Sequence, residues 1–204
     1  MVWYEIMIEI EQRFKITKSE EILFKQKIQN LGGKKKFSGE VEDFIFTDIN
    51  ESYYVRIRIM KKKSRLEVKI PYRNNYKELE TDISDPLSVI KMLKLFGLSP
   101  HLWIRRKREV YEIKIDNKNV EISFDNIQHI GRFIEISYFS KSHNKKFIEK
   151  IKRVLGIKKE SKEPYGAIIR KLLLTNGKFS LIYKKEMLKR FREIKKELQN
   201  SFTK

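Results

Sequence analysis

Several features that define common protein classes are missing from this chain. Its 204 residues contain no cysteine, which excludes disulfide frameworks, thiolate metal sites and cysteine nucleophiles. Its three histidines, His101, His129 and His143, show no metal-ligand spacing. No apolar run approaches the length of a transmembrane helix, and the N-terminus lacks the apolar core of a signal peptide. We therefore expect a cytoplasmic protein that does not bind membranes.

Acidic residues are scarce relative to basic ones. The chain has 46 Lys and Arg against 27 Asp and Glu, which gives a net charge of +19. This excess predicts an anionic partner, and composition does not choose between nucleic acid, an anionic membrane and a polyphosphate. The hydrophobic fraction of 40% is that of a globular chain, and 204 residues suffice for one sizeable core.

Apolar and charged residues alternate with a period of two in several segments of the chain. In the segment 5–16, apolar residues fall at positions 6, 8, 10, 14 and 16, and charged residues at 5, 9, 11, 13 and 15. This pattern is typical of a β-strand with one apolar face and one charged face. The alternation recurs in segments 53–59, 65–70, 78–83, 120–125 and 134–138. One exposed sheet face would explain it, but a closed barrel with a polar interior under covering helices explains more of it.

Helix signals separate these strands. Thr17-Lys18-Ser19-Glu20 offers a capping box for a first helix, and Asp85-Pro86 opens a second. Further helices are predicted from Ser142 to Gly156, over 164–174 and over 181–200. The strands lie close together in the sequence, so we expect them to pair antiparallel.

Six short motifs follow one another along the chain. They are Glu9-x-Glu11-x-Arg13, Arg56-Ile57-Arg58, Lys69 before Pro71, Leu95-Phe96-Gly97 followed by Arg106, Arg108 and Tyr111, Asp125 after an apolar strand, and Gly131-x-Phe133-x-Glu135-x-Ser137. In this order they resemble the signature of the CYTH superfamily, also called the triphosphate tunnel metalloenzymes. The resemblance covers roughly residues 5–175.

The resemblance implies the fold. Family members form a tunnel that binds a linear triphosphate, so the expected fold class is α+β, an eight-stranded antiparallel β-barrel with surrounding helices. We expect the tunnel domain to span residues 1–178 and a basic C-terminal helix to occupy 179–204. An apolar stripe on this helix predicts docking on the barrel or on another subunit.

The resemblance also implies roles for charged residues. Hard oxygen ligands for Mg²⁺ or Mn²⁺ would come from Glu9, Glu11, Asp125 and Glu135. The triphosphate would be bound by Arg13, Arg56, Arg58, Lys69, Arg106 and Arg108. Lys69 and Glu80 are the candidate catalytic residues, and which group activates water stays open. Inward-pointing cations would strain an empty tunnel, since two of them about 5 Å apart repel by roughly 3 kcal/mol at an effective dielectric near 20.

Two positions depart from the family pattern. Ser137 stands where a second glutamate is usual, which weakens one metal position or leaves it to water. Arg13 replaces a lysine, which keeps the charge but turns a point charge into a fork.

Each assignment has a structural alternative. The Arg56/Arg58 pair and Lys69 also fit a solvated strand face, and Asp125 fits a turn before Asn126. The register of Arg106 and Arg108 stays open, because both lie within a run of four basic residues. Three glutamates also fit a role in balancing lysines, namely Glu67, Glu78 and Glu80.

The expected function is a metal-dependent triphosphatase acting on inorganic tripolyphosphate, with nucleoside and thiamine triphosphates as further candidate substrates. Cyclisation of ATP to cyclic AMP and pyrophosphate is the family's other activity, and no motif here specifies adenine. The alternative of another class is a basic module that binds nucleic acid or polyphosphate. Acidic residues interleaved on the same strand faces count against nucleic acid. We expect a small-molecule triphosphate as partner and a monomer or homodimer.

Overall fold

Eight strands and five helices form in this computed structural model, which describes residues 8–47, 52–61, 63–72, 75–140, 145–159 and 163–201. The strands are β1 (Ile8–Ile16), β2 (Lys34–Thr47), β3 (Tyr54–Met60), β4 (Ser64–Tyr72), β5 (Asn75–Ile83), β6 (Ser99–Ile115), β7 (Lys118–Ile127) and β8 (Gly131–Ser140). The helices are α1 (Lys18–Asn30), α2 (Pro86–Leu95), α3 (Lys145–Leu155), α4 (Tyr165–Thr175) and α5 (Gly177–Ser201). The predicted helix start at Ser142 lies outside the described residues.

The eight strands form one antiparallel sheet, in the order β1-β8-β7-β6-β2-β3-β4-β5. The predicted fold class, α+β with an eight-stranded antiparallel sheet and surrounding helices, is confirmed. The hydrogen-bonded order begins at β1 and ends at β5, and the closure of these strands into a tunnel stays a prediction.

The chain forms two compact units. The first comprises residues 1–39 and 106–165, and the second comprises 40–105 and 166–204. Helix α5 belongs to the second unit and begins at Gly177. The predicted division of the chain at residue 178 stays a prediction.

The core of the first unit lies between the sheet and two helices. Alternation along the strands places Phe14, Ile122 and Ile134 on the face that packs against Ile28 of α1 and Ile151 of α3. These five side chains have no exposed surface. Burial of each side chain stabilises the fold by roughly 1.5–3 kcal/mol relative to an exposed position. The apolar face of each strand is therefore held against the helices, and the charged residues lie on the opposite face.

Helix α1 begins and ends as its sequence predicts. Thr17 and Glu20 form the capping box: the Glu20 backbone N–H donates to Thr17 Oγ1 at 3.2 Å, and the Thr17 N–H donates to Glu20 Oε2 at 2.8 Å. After Leu31 the chain turns through Gly32, whose φ of +74° suits a residue without Cβ.

The core of the second unit uses α2 and α5. Phe44 of β2 and Ile57 of β3 are fully buried, together with Ile90 of α2 and Ile194 of α5. The ring of Phe191 meets that of Phe44 edge-on, with centroids 5.5 Å apart. The C-terminal helix thus docks on the sheet of its own chain, one of the two predicted outcomes.

Polar contacts also fasten α5 to the second unit. The Tyr183 hydroxyl donates to the Trp103 carbonyl at 2.7 Å and accepts from the Trp103 N–H at 2.8 Å. Arg190 Nη2 lies 2.9 Å from Glu42 Oε2. Within the described residues, no helix combines the length and apolarity that crossing a membrane requires.

Replacing Ile194 by alanine tests the docking of α5. Ile194 is 2% exposed, so we expect the free energy of unfolding to fall by about 2–4 kcal/mol in urea titration. The control is Leu188→Ala on the same helix, where Leu188 is 53% exposed and the expected loss is below about 0.5 kcal/mol. Equal losses in the two variants would contradict the docking of α5 through Ile194.

Glu109 makes the stability of the first unit depend on pH. It accepts hydrogen bonds from Lys25 at 2.6 Å and Tyr111 at 3.0 Å, and it lies 2.7 Å from Lys35. Burial alone would raise the pKa of Glu109, but the hydrogen bonds from Lys25 and Lys35 outweigh it and lower this pKa to about 2 from 4.5. The depressed pKa contributes stability that is complete above pH 4.5 and is lost as the pH falls towards 2.

We expect Glu109→Gln to lower the free energy of unfolding by about 1 kcal/mol at pH 7, after allowance for solvent screening of this partly exposed group. The deficit should shrink between pH 4.5 and pH 2, because the wild-type carboxylate is protonated over that range. Urea titrations across this range measure it, and a deficit that does not change with pH would contradict the assignment.

Candidate functional site

Charged residues of four strands share one face in the first unit. Arg13 of β1 lies opposite Glu135 of β8, Glu135 lies opposite Ser123 of β7, and Asp125 of β7 lies opposite Arg108 of β6. Directly opposed residues of antiparallel strands point to the same side of the sheet. The charged residues of this face, together with Tyr165 of α4, are named the Arg108 cluster. Its members are Glu11, Arg13, Arg106, Arg108, Asp125, Glu135 and Tyr165.

Arg108 is held between two carboxylates. Its Nε donates to Asp125 Oδ1 at 2.7 Å, and its Nη2 donates to Asp125 Oδ2 at 2.5 Å and to Glu135 Oε1 at 3.0 Å. Burial opposes the charge on Arg108, but the fields of Asp125 and Glu135 outweigh it and raise the pKa of the guanidinium well above its ordinary value. Arg108 is therefore a permanent cation in a low-dielectric setting.

Arg13 links Glu135 to one further carboxylate, Glu11. Its Nε donates to Glu135 Oε2 at 2.7 Å, and its Nη2 donates to Glu11 Oε1. Glu135 is thus shared by Arg13 and Arg108, one at each oxygen. This arrangement forms a continuous chain of ion pairs across β1, β8, β7 and β6.

Tyr165 completes the cluster from the start of α4. Its hydroxyl donates to Asp125 Oδ2 at 2.9 Å, and its ring lies 5.0 Å from the guanidinium carbon of Arg13. The ring also packs edge-on against Phe133, with centroids 5.2 Å apart. Burial and the neighbouring carboxylates of Asp125 and Glu135 raise the pKa of Tyr165 well above its ordinary value, so its hydroxyl remains a hydrogen-bond donor.

The remaining predicted residues of this face are placed by strand register. Arg106 is 3% exposed, and its Nε lies 3.5 Å from Asp125 Oδ1. Glu9 is exposed and lies opposite Phe139, beyond the buried part of the cluster. Ser137, one of the two departures from the expected motif, lies between Glu11 on β1 and Glu121 on β7.

A second charged face lies in the second unit. Arg56 of β3 lies opposite Glu67 of β4, and Arg58 lies opposite Asp43 of β2. Arg56 Nε donates to Glu67 Oε2 at 2.7 Å, while Arg58 Nε donates to Asp43 Oδ1 at 2.9 Å and its Nη1 lies 3.4 Å from Glu67 Oε1. We name Asp43, Arg56, Arg58 and Glu67 the Glu67 cluster.

The two candidate catalytic residues lie on this second face but differ in environment. Lys69 is half-buried and lies opposite Tyr54. Glu80 lies opposite Glu67, and its side chain is 47% exposed in an ion pair with Arg65 at 2.8 Å. The face therefore holds both residues in the second unit, with Glu80 at its solvated margin.

Charge is balanced in both clusters. The Arg108 cluster has three arginines (Arg13, Arg106 and Arg108) and three carboxylates (Glu11, Asp125 and Glu135). The Glu67 cluster has two of each sign. The expected repulsion between crowded cations is therefore offset in these two clusters, because each of their arginines lies against a carboxylate.

The carboxylates suit a hard divalent cation chemically. Glu11 and Glu135 both reach the guanidinium of Arg13, so two oxygen donors lie near one position. Asp125 already receives bonds from Arg108 and Tyr165. No group of three acidic or histidine side chains is arranged for metal binding among the described residues, where arginines take that place. Binding of Mg²⁺ or Mn²⁺ by these carboxylates therefore stays a prediction, and it requires Arg13 to take another partner.

Asp43 and Tyr165 are not among the predicted site residues, and Glu67 was expected only to balance lysines. Asp43 is 2% exposed and Glu67 has no exposed surface. For Glu67, the signal was its place between two basic residues in alternating β4. Asp43 sits in a mostly apolar part of β2, and Tyr165 comes from a distant helix, so neither has a local signal.

The profile of the CYTH domain matches residues 7–167, more than half of the chain. The chain belongs to the CYTH domain family. No curated protein matches it significantly.

Solved structures with a similar fold include two archaeal proteins. The PH1012 protein of Pyrococcus horikoshii OT3 is 27% identical with a TM-score of 0.66, and the match covers 78% of this chain and 98% of that one. A conserved hypothetical protein of Pyrococcus furiosus is 26% identical, with the same TM-score and coverage. A Vibrio parahaemolyticus protein provisionally named an adenylate cyclase is 14% identical, with a TM-score of 0.57 over 72% of this chain and 84% of that one. This last likeness shows the fold alone.

Replacing Glu67 by glutamine tests the ion pairing of the second face. The change leaves Arg56 and Arg58 with one buried carboxylate fewer, so we expect the free energy of unfolding to fall by about 3 kcal/mol in urea titration. The matched control is Glu80→Gln on β5, whose half-exposed pair with Arg65 should contribute less than about 1 kcal/mol. A loss at Glu67 no larger than at Glu80 would contradict the pairing.

Proposed function

We propose that this CYTH-family protein is a metal-dependent triphosphatase that hydrolyses inorganic tripolyphosphate, with nucleoside and thiamine triphosphates as further substrates. One observation supports it most: the Arg108 cluster interleaves three arginines with three carboxylates on one largely buried face. A ligand that pairs with both the arginines and the carboxylates must carry negative and positive charge. A polyphosphate with a bound divalent cation carries both.

The proposal rests on an exchange of partners. Arg13 and Arg108 are held by Glu11, Asp125 and Glu135. Phosphate oxygens would take the guanidinium groups in bidentate, charge-assisted hydrogen bonds. The carboxylates would then need a cation, because a buried carboxylate without a partner costs several kcal/mol.

We assign the metal to Glu11 and Glu135, supported by Glu9 and Asp125. When bound, Mg²⁺ or Mn²⁺ would neutralise charge on phosphate oxygens during phosphoryl transfer. The chain's own contribution is positioning. Tyr165 holds Asp125 through its hydroxyl and supports Arg13 through its ring, so the two residues keep a fixed orientation.

Arg56, Arg58 and Arg106 receive the same phosphate-binding role, since their fork geometry suits phosphate oxygens. Lys69 is assigned to stabilise the transferring phosphoryl group, as a compact cation on the face of the Glu67 cluster. Glu80 is the candidate for activating water. Solvent reaches the side chain of Glu80 directly, because this side chain is exposed.

A panel of triphosphates tests this function. With Mg²⁺ or Mn²⁺, we expect tripolyphosphate to yield orthophosphate and pyrophosphate, and chelation of the metal to stop turnover. Glu11→Gln and Glu135→Gln should each lower kcat/KM by at least about 100-fold, equivalent to about 2.7 kcal/mol, because each removes a carboxylate that we assign to the metal. The control is Glu149→Gln on α3, an exposed carboxylate paired with Lys152 that should leave turnover unchanged.

Product identity separates the alternatives. Cyclic AMP and pyrophosphate from ATP, without orthophosphate, would replace the hydrolase by a cyclase, the activity in the provisional name of the Vibrio parahaemolyticus protein. No product from any triphosphate with either metal would overturn the enzymatic proposal.

A further inference from the structure

One side of α5 carries a line of cations that the proposed triphosphatase does not use. Its members, all exposed, are Lys178, Lys185, Lys189, Arg192 and Lys196. We name them the α5 stripe. The successive spacings are seven, four, three and four residues, which are the intervals that keep side chains on one side of a helix.

The stripe is straight and long. At 100° per residue its five members fall within a sector of about 60°, and at 1.5 Å per residue they extend over about 27 Å. Two acidic residues of the described helix, Glu186 and Glu193, flank it, and Glu193 lies 4.0 Å from Lys189 and 3.5 Å from Arg190. The face therefore keeps a large positive excess.

The opposite side of α5 holds the stripe in place. Tyr183 and Ile194 are buried against the second unit, Phe191 packs on Phe44, and Arg190 is paired with Glu42. A helix that is already folded and docked loses little conformational entropy when it binds a ligand.

We propose that the α5 stripe binds the phosphate backbone of double-stranded nucleic acid, without regard to base sequence. Five cations in a row match a repeating line of phosphates. The aromatic residues of α5, Phe179, Tyr183 and Phe191, are on its docked side, so the described outer face offers no ring on which a base could stack. The contact is therefore with the backbone, and a duplex, whose bases are already stacked, is the matching partner.

A membrane surface fits this face less well. A helix that lies in a membrane interface inserts a continuous apolar face, and the apolar face of α5 is already packed on the sheet. The outer side has only Leu181 and Leu188 as exposed large apolar residues among the described positions of α5.

The test measures binding of the full-length protein to a 20-base-pair DNA duplex and to the same duplex in RNA, by fluorescence anisotropy from about 50 to 200 mM salt. Five phosphate contacts predict a slope of log K against log salt of about −4.5. The stripe variant is Lys185→Gln, Lys189→Gln and Arg192→Gln together. We expect its slope to be smaller in magnitude by about 2.7, with binding weakened at least tenfold at 50 mM salt.

The control removes the same charge elsewhere, through Lys18→Gln, Lys34→Gln and Lys114→Gln, which are exposed and lie on α1, β2 and β6. It should lose less than about threefold in affinity. Circular dichroism establishes that both variants are folded. Equal losses in the two variants, or wild-type protein that binds neither duplex at 50 mM salt, would overturn the proposal. So would tight binding to vesicles of anionic lipid that neither duplex displaces.

Discussion

The structure depends on pairing each arginine of a largely buried charged face with a carboxylate from a neighbouring strand. Arg108 between Asp125 and Glu135, and Arg58 between Asp43 and Glu67, are the central examples. Removing either sign would leave an uncompensated buried charge that costs several kcal/mol. The apolar faces of the same strands fix the register, because a slip of one residue would turn the charged row into the core.

Because of this pairing, the two clusters are electrostatically balanced although the chain as a whole is basic. The net charge of +19 resides largely outside the two balanced clusters, for example on the outer side of α5. A ligand for the clusters must replace ion pairs that already exist, and this favours a ligand that carries anions and a cation together. A polyanion without a metal would free the arginines only by leaving Glu11 and Glu135 unpaired.

Period-two alternation sufficed to predict the faces of β1, β3, β4, β7 and β8, because it is a local property of each strand. It also placed Arg13, Arg56, Arg58, Asp125 and Glu135 on their charged faces. Alternation does not reveal which charges contact one another, since Arg108 meets Asp125 through a register set by the whole sheet. Asp43 and Tyr165 were missed for the same reason, and the predicted start of α5 at 181 was late because Asn176 caps the helix through Phe179.

The most direct measurement is the affinity of the protein for tripolyphosphate with and without Mg²⁺, by calorimetry that accounts for Mg²⁺ binding to the free ligand. If arginines and carboxylates exchange partners together, the metal should raise the affinity for tripolyphosphate at least tenfold, a coupling of about 1.4 kcal/mol, and tripolyphosphate should raise the affinity for metal equally. If the arginines act as uncompensated cations, the less negative magnesium complex should bind more weakly than free tripolyphosphate, and that result would contradict the account.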